Sequence, residues 1–100
     1  MPTIIVTGAG GQLGQEIKAL SSQFPQFDFV FADRNQLPID DAERVFSFFQ
    51  EHQPDFCINC AAYTAVDKAE SDADAAYRIN GDAPGYLARA CHDTGAYLIH

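Results

Sequence analysis

Basic residues are scarce in this chain. Six Lys and Arg stand against fourteen Asp and Glu, a formal net charge of −8 over 100 residues. The electropositive footprint that neutralises nucleic-acid phosphates is absent, and an anionic membrane surface is an unsuitable partner for the same reason. Long apolar runs are missing as well. Stretches such as Ile4-Ile5-Val6 fall far short of the roughly 20 residues that a membrane span requires. The N-terminus carries no basic region and opens directly on an apolar strand, so no secretory signal is legible. Cysteine is limited to three. An odd count without a secretory signal reads as a reduced, cytoplasmic chain and not as a disulfide framework. Cys57 and Cys60 do have C-x-x-C spacing. Their setting, Asp55-Phe56-Cys57-Ile58-Asn59-Cys60-Ala61, is that of a strand, in which residues three apart face opposite ways. Both are expected to act as small hydrophobes. His52, His92 and His100 share no ligand spacing, so no metal site is predicted.

What the chain does contain is apolar. Such residues make up 47% of it and charged ones only 20%, which excludes intrinsic disorder. One hundred residues suit one domain. Residues 3–7 are a β-branched run ending at glycine. Leu13, Ile17 and Leu20 recur at helical spacing after it. Residues 27–32 form a second apolar run, and Ile39 marks a very short third strand after the 35–38 loop. A helix over 42–52, capped by Asp40 or Asp41, turns Val45, Phe46 and Phe49 inward. Residues 55–60 are a fourth strand. A helix from about 71 to 94 carries the stripe Ala76, Asn80, Ala83, Leu87 and Cys91 and stops at Gly95. Residues 96–99 open a fifth strand.

Apolar strands alternating with amphipathic helices predict an α/β fold: a Rossmann-type parallel sheet with helices on both faces and strand order 3-2-1-4-5. The sequence stops inside strand five. Residues 1–100 therefore read as the N-terminal part of a dinucleotide-binding domain whose remainder, and whose substrate domain, lie outside this sequence. The open edge at strand five is expected to pair with other copies. Ligands in such sheets bind beyond the carboxyl ends of the strands, at the switch point between strands one and four.

Two segments at those ends carry chemistry. Thr7-Gly8-Ala9-Gly10-Gly11-Gln12-Leu13-Gly14 places G-x-x-G-x-x-G between a strand and a helix. A pyrophosphate needs backbone N–H groups at a helix N-terminus with no Cβ in the way. Gly8 makes the tight turn, Gly11 admits the phosphates, and Gly14 lets the helix approach the sheet. Asp33 ends the second strand, 25 residues after Gly8. Its carboxylate is placed to accept from the adenosine ribose hydroxyls, which favours NADH, while the adjacent Arg34 can swing onto a 2′-phosphate and admit NADPH. The second segment runs Asn59-Cys60-Ala61-Ala62-Tyr63-Thr64-Ala65-Val66-Asp67-Lys68-Ala69-Glu70. Its small residues let a cofactor ribose lie on the backbone.

These two strings, with Asn80-Gly81-Asp82-Ala83-Pro84 and Leu87-Ala88 further on, resemble the extended short-chain dehydrogenase/reductases, and within them the dTDP-4-dehydrorhamnose reductases. The likeness runs end to end. It implies reduction of the 4-keto group of dTDP-4-dehydro-β-L-rhamnose by NADH or NADPH in a cytoplasmic homo-oligomer that serves polysaccharide biosynthesis. The implied cofactor contacts are Gly11, Gln12 and Leu13 at the phosphates, Asp33 at the ribose, Ile39 beside the adenine, and Ala61, Ala62 and Tyr63 after strand four. Pro38 occupies the position where the family often has an Asp, with Asp40 two residues on as a substitute. Glu16 sits where some members place a glutamate in a magnesium-bridged subunit contact. Asp67, Lys68 and Glu70 read either as a solvated helix start or as a substrate or subunit contact. Asn80 reads either as a surface residue or as a support for the active site through a kink that Pro84 induces.

The family's catalytic Ser/Thr and Tyr-x-x-x-Lys pair lie beyond strand five. None of Tyr63, Tyr77, Tyr86 and Tyr97 has Lys four residues on, so no catalytic residue is assigned within residues 1–100. This stretch is expected to bind nucleotide and not to catalyse. Two other readings remain: an NAD-dependent sugar-nucleotide epimerase or dehydratase, and a non-catalytic dinucleotide-binding subunit similar to the regulatory subunit of methionine adenosyltransferase.

Overall fold

A computed structural model describes residues 1–61 and 82–99. Four strands, β1 (Thr3–Thr7), β2 (Asp28–Ala32), β3 (Phe56–Asn59) and β4 (Tyr97–Ile99), form one sheet in the order β2-β1-β3-β4. All neighbours are parallel, with Ile5 opposite both Val30 and Cys57 and Cys57 opposite Leu98. Parallel pairing demands crossovers, and α1 (Gln12–Ser21), α2 (Ala42–His52) and α3 (Ala83–Thr94) fall between the strands they connect.

Side chains alternate across the sheet, so one register defines both faces. Ile5, Val30, Cys57 and Leu98 share the face that meets Val45 and Phe49 of α2 and Ala83, Leu87, Ala90 and Cys91 of α3. This is the main core. Asp41 caps α2 by accepting from the Arg44 N–H at 3.3 Å, which selects between the two predicted caps. Pro84 sits in the first turn of α3, where its missing N–H costs nothing. Gly95 ends that helix with φ 76° and donates to the Cys91 and His92 carbonyls.

The buried Cys57 and Cys91 thiols sit together in this core. Hydrogen bonding to Cys91, then burial, pushes the Cys57 thiol well above its ordinary value, and burial raises that of the half-exposed Cys60. No thiolate is favoured at these two positions. Cys57 thus behaves as the small hydrophobe expected of it.

One sequence expectation is corrected here. Ile39 is not in a strand. It lies in a turn after Leu37-Pro38 and is 4% exposed, packed in the main core. Pro38 has no N–H to give a ladder, so burial of Leu37 and Ile39 replaces pairing. The order 3-2-1-4-5 is therefore realised without its third strand among the described residues. The helix predicted from about residue 71 is seen from Ala83 onward. Its earlier part, with Ala76 and the Asn80 kink, lies outside the described residues.

The opposite face bears Ile4 and Val6, flanked by Phe29 and Phe31 of β2 and by Phe56 and Ile58 of β3. Among the described residues α1 reaches this face, with the Lys18 ammonium 5.9 Å from the centre of the Phe31 ring. Leu13 and Leu20, which share a helical face with Ile17, are about half exposed. Tyr97 is 72% and Ile99 49% exposed on the same face, with Tyr97 stacked on Phe56. An apolar edge of this kind pairs readily with another chain. A polypeptide of residues 1–100 is expected to self-associate at micromolar concentration, and Ile99→Lys is expected to shift it toward monomer. Sedimentation velocity on both proteins checks this, and a wild type that stays monomeric when concentrated refutes it. Leu98 is the wrong residue to alter, because it packs against the core.

Candidate functional site

The carboxyl ends of β1, β2 and β3 meet at the glycine turn. Gly8 leaves β1 with φ 61°, a conformation that L side chains resist. A Cβ there would stand 2.5 Å from the Ala61 nitrogen. The turn is pinned on several sides. Ala9 N–H donates to the Ala32 carbonyl at 3.1 Å, Gly11 N–H to the Gly8 carbonyl at 3.1 Å, and Cys60 N–H to the Thr7 carbonyl at 3.2 Å. Thr7, the one fully buried polar side chain of the described residues, donates from Oγ1 to Asn59 Oδ1 at 2.7 Å. The same oxygen accepts from the Ala61 N–H at 3.1 Å. This pair ties β1 to β3 at the switch point. Neither residue had been assigned a role from sequence, although a polar side chain ending each of two apolar strands is a visible signal.

Helix α1 starts directly from the turn. Gly11 is its N-cap, in extended conformation and with no side-chain cap, and no acidic residue occupies the first turn. The first N–H groups of α1 therefore lack an intramolecular side-chain acceptor, and the positive end of the helix dipole points past the glycines. Gln12 and Leu13 are exposed beside it. Gly14 is buried, and a Cβ would sit 2.6 Å from Ala9 Cα and 2.7 Å from the Gly8 oxygen. A side chain at Gly14 would thus meet the turn itself.

Beside the turn lies an open groove of about 680 Å³, lined by Ala9, Gly10, Gln15, Lys18, Phe31 and Asp33, with Ala19 and Gln36 completing it. Asp33 and Gln36 hold one another: Gln36 N–H donates to Asp33 Oδ1 at 2.9 Å, and Asp33 N–H donates to Gln36 Oε1 at 3.0 Å. The Asp33 carboxylate is thereby fixed at the groove. Gly10 faces it, since a Cβ built there would lie 3.7 Å from Asp33 Cβ. Gln15 Nε2 donates to the Gly10 carbonyl at 2.9 Å. Gly10, Gln15, Lys18 and Gln36 were not singled out from sequence. A helical spacing of three puts Gln15 and Lys18 on one side of α1, but which side looks toward β2 follows only from packing.

The remaining predicted contacts divide. Gly8, Gly11, Gly14, Asp33 and Ala61 converge at the strand ends. Arg34 is exposed and does not line the groove. Ile39, expected beside an adenine, is turned into the core. Ala62 and Tyr63 lie outside the described residues, as do Asp67, Lys68, Glu70 and Asn80. Glu16 is exposed on α1, and no group of three or more metal-type side chains gathers among the described residues. No helix among those residues is long and apolar enough to cross a membrane.

A parallel sheet with an uncapped glycine turn at its switch point occurs in several families, so comparison with known proteins decides between them. The family described as "RmlD substrate binding domain" matches residues 2–100. The chain belongs to that family. Its curated relatives within it include the dTDP-4-dehydrorhamnose reductase of Streptomyces griseus, 42% identical over 98 residues, which cover 98% of this chain and 32% of the relative. Two solved structures superpose closely. The dTDP-4-dehydrorhamnose reductase of Clostridium acetobutylicum aligns at TM-score 0.87 and 42% identity over 96% of this chain and 34% of its own. That of Bacillus anthracis, in complex with NADP, aligns at TM-score 0.86 and 38% identity over 98% of this chain and 35% of its own. The RmlD-family chain described here spans about a third of the length of these relatives.

Proposed function

We propose that residues 1–100 are the nucleotide-binding portion of an NAD(P)H-dependent dTDP-4-dehydrorhamnose reductase. The observation that carries the reading is the glycine turn: three strand ends hold it, no side chain caps the helix behind it, and it opens on a groove walled by Asp33. The residues fit a dinucleotide. Gly11 and the first N–H groups of α1 receive the pyrophosphate, Gly10 leaves the groove free, and Asp33 accepts from ribose hydroxyls. Ala61 supports the far side of the turn, with Ala62 and Tyr63 following it. When bound, the nicotinamide supplies the hydride for reduction of a 4-keto sugar. The proton for that ketone comes from a Tyr-x-x-x-Lys pair outside residues 1–100, so these residues bind nucleotide and do not catalyse. Homo-oligomerisation in the cytoplasm belongs to the same proposal, as does a dTDP-sugar substrate; Glu16, a lone exposed carboxylate among the described residues, does not make a magnesium site.

Amide signals of Gly11, Gln12 and Leu13 are expected to shift on titration with NADH or NADPH, and the protein's melting temperature to rise. Unchanged spectra with both nucleotides at millimolar concentration contradict the proposal. Asp33→Ala is expected to weaken NADH by about tenfold to hundredfold, since a hydrogen bond to a charged group contributes roughly 1.5–3 kcal/mol. NADPH is expected to lose less, because its 2′-phosphate no longer faces a carboxylate. Calorimetric titration of both nucleotides checks this, and equal losses for the two refute the role given to Asp33.

A further inference from the structure

The nucleotide groove contains a cation that neither the glycine motif nor the Asp33-Arg34 pair accounts for. Lys18 lies on α1 one turn beyond Gly14 and lines the groove together with Gln15, Phe31 and Asp33. Its ammonium stands 5.9 Å from the centre of the Phe31 ring. The groove runs along one side of α1, from Gly10 to Ala19, and long side chains on a helix lean toward its N-terminus, here toward the Gly10 end of the groove. Lys18 is exposed, so its charge stays at the mouth of the groove. Phe31, two residues before Asp33, places its ring on the same groove wall as the ammonium.

An ammonium and a carboxylate share this groove, and they make complementary demands on a ribose. A carboxylate accepts from a free 2′-hydroxyl and repels a 2′-phosphate. An ammonium attracts the phosphate and is indifferent to the hydroxyl. Asp33 is held in place by its exchange of hydrogen bonds with Gln36, so it cannot withdraw far. A phosphate entering here requires a cation inside the groove to offset that charge. Lys18 is in the groove wall, and Arg34 is not.

We propose that Lys18 is the residue that recognises the 2′-phosphate of NADPH, so that one groove takes NADH through Asp33 and NADPH through Lys18. This rests on the dinucleotide reading above and adds to it the residue that sets cofactor range. Lys18 acts by direct contact with the nucleotide and takes no part in hydride transfer.

The test uses the full 100-residue chain with 5′-AMP and 2′,5′-ADP, which differ only in the 2′-phosphate, alongside NADH and NADPH. Lys18→Gln keeps part of the aliphatic stem and removes the charge. It is expected to weaken 2′,5′-ADP and NADPH by about tenfold or more, the scale of one charge-assisted contact, while 5′-AMP and NADH change less than about twofold. Lys18→Arg is expected to restore the phosphate-bearing pair, which a purely structural role for the stem would not require. Arg34→Gln is expected to leave the ratio of the two nucleotides unchanged. Equal weakening of both pairs by Lys18→Gln, no weakening of either, or a selective loss that follows Arg34→Gln overturns the assignment of Lys18. Failure of wild type to bind any of the four ligands overturns the dinucleotide reading and the Lys18 proposal with it. Binding of 5′-AMP and NADH alone overturns only Lys18.

Discussion

A Gly8→Ala variant is expected to lose about 2–5 kcal/mol of stability, from roughly 1–2 kcal/mol for a left-handed alanine and 1–3 kcal/mol for overpacking. The overpacking is backbone against backbone. The new methyl would stand 2.5 Å from the Ala61 nitrogen, 2.6 Å from Ala61 Cα and 2.7 Å from the Cys60 carbonyl carbon. No side chain can rotate away, so the ends of β1 and β3 must part, and the Thr7–Asn59 hydrogen bond goes with them. A domain of this size holds only about 5–15 kcal/mol in total. Its melting temperature is expected to fall by at least about 10 °C. Gly85→Ala supplies the control. Gly85 is also a glycine, helical and exposed, and a Cβ there meets nothing within 4 Å. That change is expected to add about 0.5–1 kcal/mol through helix propensity and a less flexible unfolded chain. Calorimetry on both variants checks the pair. A Gly8→Ala protein that melts within about 3 °C of wild type would show that the turn has room the geometry denies it.

Gly10→Leu is expected to abolish nucleotide binding and leave the fold intact. Gly10 lies in the same turn as Gly8 but faces Asp33 after β2 and not Ala61 after β3, and its steric situation is the reverse. A Cβ there makes only an ordinary contact, 3.7 Å from Asp33 Cβ, so the substituted chain folds. The rest of the leucine side chain then occupies the groove between the turn and Asp33. A ribose can no longer reach the carboxylate, and the charge-assisted contacts on that side are lost together. At roughly 1.5–3 kcal/mol each, two such contacts amount to a fall in affinity of about a hundredfold or more. Titration with NADH, paired with a melting curve, separates this from Gly8→Ala. Retained affinity in a folded Gly10→Leu protein would place the nucleotide elsewhere than in the Asp33 groove.

Particular elements show how much of this could be read without coordinates. The glycine turn was legible because its chemistry is local. A strand, a turn with φ above zero and a helix lie within twelve residues, and the spacing of Gly8, Gly11 and Gly14 states which backbone must come close. Asp33 was legible for a related reason: the second apolar run has one end, and the residue there is acidic. The sequence stopped being informative where a side chain's direction depends on which partner lies across from it. Ile39 reads as a strand residue beside a ligand, because an apolar residue after Pro38 looks the same whether it pairs or packs. Burial with Val45 and Phe49 decided for packing. Leu13 and Leu20 match a helical stripe, and a stripe is buried only where something covers it.

The chain's own order of residues thus determined the fold class, the position of the turn, the cap of α2 by one of two aspartates and the stop of α3 at Gly95. Each follows from backbone geometry that a residue imposes on its neighbours. Tertiary structure alone decided which residues wall the groove. Gly10 comes from the glycine turn, Gln15 and Lys18 from one side of α1, Phe31 and Asp33 from β2 and the residue after it, and Gln36 from a turn beyond. Only parallel pairing of β1 with β2, with α1 laid across them, brings these groups together. Hydrophobic burial drives that packing and is indifferent to the polar side chains it carries along. The position of Lys18 beside Asp33 is therefore a consequence of packing, and no local rule of sequence contains it.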